Sequence, residues 1–284
     1  MRVMTKLIID TDGVTDDVRA ISIALQNDTT DVVAITTVHG CVSVDQATAN
    51  VSRTLRANGK QLPVYKGAAN AIISKKRLDY SSCIGRDGIG DQPEAPPAVK
   101  PEDFTNYVQN KHAAQALIDL CREDSEITLV CLGPLTNVAL ALKLEPAFAR
   151  MPKRIVTLGG NYYAHATEVD FDAHLRFNTQ LSRFLNAATN VVRSYKAKQG
   201  KQCAYCDEVA VATAIDPEDV ILQSRVLRVT VELTGQLTRG QVVVDWIHAT
   251  HEHSEATEKG TVLFVTSYDV KKVDELMLEA AKRI

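Results

Sequence analysis

The 284 residues are 45% hydrophobic, enough for a substantial core in one large α/β domain spanning residues 1–284. Against 35 acidic residues stand 32 basic ones, a net charge of -3, which excludes a general attraction for nucleic acid or an acidic membrane surface and favours a small-molecule substrate. No apolar run approaches the roughly 18 residues of a membrane span. The opening Met1-Arg2-Val3-Met4-Thr5-Lys6 lacks a signal peptide's apolar stretch, and six scattered cysteines make no disulfide framework, so a soluble cytoplasmic protein with reduced thiols is expected.

In chain order, Lys6 to Ile9 reads as a first strand, followed by a helix from Asp16 to Gln26 whose apolar stripe is Val18, Ile21 and Ala24-Leu25. Its acidic first turn suits the positive end of the helix dipole. Val32 to Val38 is a second strand, Val44 to Ala57 a helix ended by Asn58-Gly59, and Leu62 to Tyr65 a third strand. The glycines and prolines between Ser81 and Asp103 oppose regular structure and predict a long surface loop. A helix from Lys111 to Cys121, a strand from Ile127 to Leu132, the turn Gly133-Pro134, a helix from Thr136 to Leu144 and a strand from Ile155 to Leu158 follow. The last third holds helices at Leu181 to Lys196 and Asp207 to Ile215, strands at Arg228 to Leu233, Gln241 to Trp246 and Thr261 to Val265, and a closing helix from Val270 to Arg283. This alternation predicts an α/β fold with a mostly parallel central sheet flanked by helices, and ligands at the carboxyl edge of its strands.

The segment Asp10-Thr11-Asp12-Gly13-Val14-Thr15-Asp16-Asp17 sets four carboxylates at the end of a strand and the start of a helix. Like charges so close raise one another's pKa, so a hard cation or a catalytic acid is expected there. Aspartates that merely cap a helix and turn a corner are the plain alternative. Asp10-Thr11-Asp12-Gly13-Val14 alone resembles the nucleophile motif of magnesium-dependent haloacid-dehalogenase-type phosphatases, with Asp10 attacking phosphorus. That reading leaves Asp16-Asp17 without a task.

At its full length the segment resembles the signature of the inosine-uridine-type nucleoside hydrolases. Ala34-Ile35-Thr36-Thr37-Val38-His39-Gly40, Gly133-Pro134-Leu135-Thr136-Asn137, Asp207 with Val209-Ala210-Val211-Ala212, and Val231-Glu232-Leu233-Thr234-Gly235 agree with it in order. The resemblance implies a Rossmann-like fold and calcium-dependent hydrolysis of a ribonucleoside to ribose and free base. It implies that Asp12, Asp17, Asp207 and the Leu132 carbonyl hold Ca2+, and that Asp12 is the general base activating a water on the metal. Asp16 and Asn178 would contact the ribose, and Asp10 would orient the loop from behind. A homodimer or homotetramer is the implied assembly. A homologue that binds calcium and nucleoside or ribose without efficient turnover remains an alternative.

Several positions depart from the family pattern. Cys41 stands for a sugar-contacting Asn, Arg176 for a Glu near the ribose, Ile84 for a His of uridine-accepting members, and Cys206 for the His assigned as acid to the leaving base. Phe177-Asn178-Thr179-Gln180 runs almost at once into a long helix, so one βα unit of on the order of 30 residues is expected to be absent after Asn178. The single CxxC of Cys203 and Cys206 lacks the second ligand pair of a zinc site. His248, His251 and His253 read as a solvated loop, Trp246 as a core or edge residue, and Tyr162, Tyr163, His165 and His174 as loop residues near the ligand edge.

Overall fold

A computed structural model describes residues 4–73, 79–160, 172–235, 238–245 and 261–283. Leu7, Ile8 and Ile9 are wholly buried because their strand, β1 (Thr5–Thr11), is covered on both faces. After β1 come α1 (Thr15–Gln26), β2 (Thr30–Thr37), α2 (Val44–Ala57) and β3 (Val64–Lys66). Then follow α3 (Ser81–Ile84), a 3-10 turn at Pro101–Phe104, α4 (Ala113–Glu123), β4 (Thr128–Cys131), α5 (Thr136–Leu144) and β5 (Arg154–Thr157). The remainder is a 3-10 turn at Ala173–Arg176, α6 (Gln180–Lys198), α7 (Asp207–Ile215), α8 (Pro217–Val220), β6 (Ile221–Val231), β7 (Val242–Val244), β8 (Thr261–Tyr268) and α9 (Val270–Lys282).

Five strands form a parallel sheet in the order β3-β2-β1-β4-β5. Residues alternate across a strand, so β1 sends Leu7 and Ile9 to one face and Ile8 to the other. Leu7 and Ile9 pack with Val18 and Ile21 of α1, Leu55 of α2, Phe184 and Leu185 of α6, Val211 of α7 and Met277 of α9. Ile8 packs with Leu117 and Ile118 of α4, Val138 of α5 and Phe148. The chain winds outward from β1 to β3 and returns to β4, so the order reverses between β1 and β4, and a crevice opens at their carboxyl ends. A smaller antiparallel sheet, β7-β6-β8, follows it in the chain.

Helices α2, α5 and α7 have the predicted bounds. Strand β6 starts seven residues before the predicted Arg228, because the polar run Gln223-Ser224-Arg225 pairs with β8 through Ser224–Val265 and Arg225–Phe264. Among the described residues no strand lies between β5 and α6, and the parallel sheet ends at β5. Among the described residues of the predicted strand at Gln241 to Trp246, Val242–Val244 are strand. Trp246, His248, His251, His253, Tyr162, Tyr163 and His165 lie outside the described residues. No described helix is long and apolar enough to cross a membrane.

Candidate functional site

The carboxyl end of β1 carries Asp10, Thr11 and Asp12 into the crevice, and Gly13 makes the turn into α1 at φ +65°. A side chain there would meet the Ala47 carbonyl, so the glycine is required both by backbone sign and by space. Asp10 is fully buried and fixed. Its Oδ1 accepts from Thr36 Oγ1 at 2.6 Å and from Asn137 Nδ2 at 2.8 Å, and its carbonyl accepts from the Leu132 N–H at 2.8 Å. Burial outweighs those donors and raises its carboxyl to about 6. Leu132 and Gly133 thereby sit at the end of β4 beside the Asp12 backbone.

Asp12 is buried, and its Oδ2 accepts the Cys41 N–H at 2.7 Å. Gly40 lies so close that a Cβ there would collide with the Asp12 carboxylate. One helical turn on, Asp17 accepts from Thr11 Oγ1 and, at 3.1 Å, from the Val14 N–H. Asp207 arrives from 190 residues away in the sequence as the first residue of α7, whose N-terminal end packs on that of α1. Carboxylate oxygens of Asp16, Asp17 and Asp207 lie within 4.8 Å of one another. Burial first, then their mutual repulsion and that of Asp12, holds Asp17 and Asp207 well above the usual carboxylate range. Asp16 is raised to about 6 by desolvation, Glu208 and Asp12. Three hard oxygen donors whose shared negative charge is this poorly compensated suit a divalent cation such as calcium or magnesium.

The structure thus draws Asp10, Asp12, Asp16, Asp17, Leu132, Cys41 and Asp207 to one crevice. It groups Asp16, rather than Asp12, with Asp17 and Asp207. Cys206 is the residue before α7; desolvation, Asp16 and Glu208 push its thiol up to about 12. Ile84 and Cys41 pack together on Val14, Val42 and Ala47. Asn178 is placed differently. It is exposed, its Oδ1 accepts from Arg183 at 2.8 Å, and the adjacent Thr179 donates to the Ala281 carbonyl near the end of α9. Arg283, just past that end, pairs with Asp28 beyond the C-terminus of α1, at the far end of that helix from Asp16 and Asp17. Helix α6 approaches the crevice only further along, where the Ala188 carbonyl accepts from Thr15 Oγ1 at 2.9 Å. Asn178 is therefore not brought to the aspartates, because the chain enters α6 directly after it.

Other residues of the site carried no assigned role in the sequence. Asn137 donates to Asp10 and to the Thr37 carbonyl and accepts from the Ala68 N–H, joining three strand ends. Asn50 donates to the carbonyls of Gly13 and Asp87, tying the aspartate turn to the glycine-rich loop. A buried amide on a helix facing a strand end is the only signal that could have marked either one.

The family profile described as "Inosine-uridine preferring nucleoside hydrolase" matches residues 7–174 and 164–275. The chain is 29% identical to the inosine-uridine preferring nucleoside hydrolase of Crithidia fasciculata, over 98% of each protein. That alignment spans 323 positions, more than the chain has, so the relative carries residues without a counterpart here. A protein named "Probable uridine nucleosidase 2" from Arabidopsis thaliana is 38% identical over 55% of this chain, a match spanning about half (48%) of that relative's length. Among solved structures, a plant nucleoside hydrolase superposes with a TM-score of 0.83 at 25% identity, covering 99% of both chains.

Proposed function

The chain belongs to the inosine-uridine preferring nucleoside hydrolase family, and on that premise we propose that it hydrolyses the N-glycosidic bond of ribonucleosides to ribose and free base with the help of calcium. The observation that carries this reading is the convergence of Asp16 and Asp17 with Asp207, from segments far apart in the chain, beside a separately cradled Asp12. Asp17 and Asp207 are the cation ligands common to this geometry and to the family pattern, joined by Asp12 and the Leu132 carbonyl. A bound cation supplies the positive charge that gathers sugar and water oxygens and offsets the carboxylates.

The chain's own groups account for the remaining work. Asp12 takes a proton from the attacking water; its Oδ2 is pinned by the Cys41 N–H, which fixes the plane in which the carboxylate receives it. Asp10 holds the strand end by its bonds to Thr36 and Asn137 and to the Leu132 N–H, so that the loop does not reorganise as charge develops on the sugar. Asp16 accepts a hydrogen bond from a ribose hydroxyl. A phosphatase role for Asp10 is disfavoured, because a nucleophile must reach its substrate and this carboxylate is wholly buried.

A second reading, binding with poor turnover, draws support from Cys206. A thiol held near 12 is a weak acid for a departing base. The two readings separate by experiment. Release of reducing sugar from inosine or uridine, abolished by EDTA, restored by calcium, and lowered about 10²- to 10⁴-fold in Asp12→Asn, is expected of the hydrolase. Thermal stabilisation by calcium with ribose or nucleoside, without sugar release, would leave the binder.

A further inference from the structure

Arg19 and Glu208 are charged residues in two otherwise well-packed helices, and both are buried, at 2% and 0% side-chain exposure. Arg19 lies two residues after Asp17 on α1, and Glu208 one residue after Asp207 on α7. Their side chains meet, Nη1 to Oε1, at 2.9 Å. The other Glu208 oxygen accepts the Cys206 N–H at 2.9 Å, so a single carboxylate is tied both to α1 and to the backbone leading into Asp207. The Arg19 guanidinium lies 5.0 Å from the centre of the Tyr205 ring, whose hydroxyl donates to Asp274 on α9.

A buried ion pair seldom makes a fold more stable than apolar residues of similar size would. Its location points to another task. The N-termini of α1 and α7 each bring carboxylates to one spot, and that repulsion acts to part the two helix ends. The Arg19–Glu208 contact crosses the same gap with the opposite sign of interaction, within two residues of the carboxylates that repel.

We propose that Arg19 and Glu208 form a clamp that positions Asp207 against its fellow ligand Asp17, so that these two carboxylates are assembled before a divalent cation arrives. They act through the ligands and touch neither cation nor substrate. This inference rests on the reading of the acidic group as a cation centre.

The test is calorimetric titration of calcium into full-length protein stripped with EDTA. The double variant Arg19→Met with Glu208→Gln removes one positive and one negative charge together, keeps the bulk of both side chains and leaves an amide oxygen for the Cys206 N–H. The expected result is a metal-free melting temperature close to wild type, with a calcium Kd raised roughly 10- to 100-fold. Unchanged affinity in the double variant overturns the clamp while leaving the cation centre intact. No calcium binding by the wild type overturns the cation centre, and the clamp with it. Should the double variant not fold, Glu208→Asp, which keeps both charges but is one methylene short of spanning Arg19 and Cys206, decides by the same two affinities.

Discussion

Gly40 carries no chemistry of its own, yet the position of Asp12 depends on it. Any side chain at residue 40 must displace the Asp12 carboxylate, and a misplacement on the order of 1 Å is worth about 10²-fold in rate. Gly40→Ala is therefore expected to lower kcat by about that factor with little change in melting temperature, as steady-state sugar release and thermal denaturation would show. His174 makes a prediction about stability. Burial, with Arg19 and Arg193 nearby, lowers its imidazole from 6.5 to about 2. Below pH 6.5 the unfolded chain takes up a proton that the folded chain refuses, so stability falls with acidification by about 1.4 kcal/mol per pH unit. Asp10 acts in the opposite sense: its folded value near 6 lies above 3.8, so its contribution is lost as pH rises through 6. Comparison with His174→Gln isolates the histidine. Urea denaturation from pH 6.5 to 5 should show the wild type losing about 2 kcal/mol more than the variant over that range; parallel slopes would exclude the effect.

At the scale of elements, the segment between α3 and α4 is held from beneath by side chains of α2, and Arg53 makes the most bonds to its proline-rich stretch. Arg53 of α2 is buried and donates to the carbonyls of Gln92, Ala95 and Pro97, with Phe184 under its guanidinium. Hydrogen bonds to a charged group contribute about 1.5–3 kcal/mol each, and they are not additive. Arg53→Met should destabilise the protein by roughly 3 kcal/mol and speed proteolysis between residues 85 and 100; an unchanged cleavage pattern would show that the loop is held by other contacts. The composition of that segment marked it as a loop, but nothing in its sequence pointed to Arg53 as its anchor. Helices α2, α5 and α7 were legible to their end residues because each has a capping or breaking residue beside an apolar run. Asn178, which the family resemblance assigns to the ribose, lies apart from the aspartates for a local reason: the chain passes straight from it into α6, whose first turn lies beside the end of α9.

For the whole molecule, the metal-free protein keeps several carboxylates buried beside one another. A ligand that binds only the folded state adds about 2.7 kcal/mol at a free concentration one hundred times its Kd. Calcium should therefore raise the melting temperature at neutral pH by several degrees in the wild type and much less in Asp207→Asn; an equal rise in both would place the ion elsewhere. The sequence by itself determined the alternating architecture, the strand that ends in aspartates and the chemistry such a cluster demands, because periodicity, caps and local charge are properties of neighbouring residues. Which distant groups meet was decided by the tertiary structure alone. Packing of α7 on α1 brings Asp207 to Asp17 and buries Arg19 against Glu208, and the first turn of α5 sets Asn137 on Asp10. Those contacts join residues separated by more than a hundred positions, and they exist only because burying the faces of the sheet outweighs the repulsion among the acids gathered at its edge.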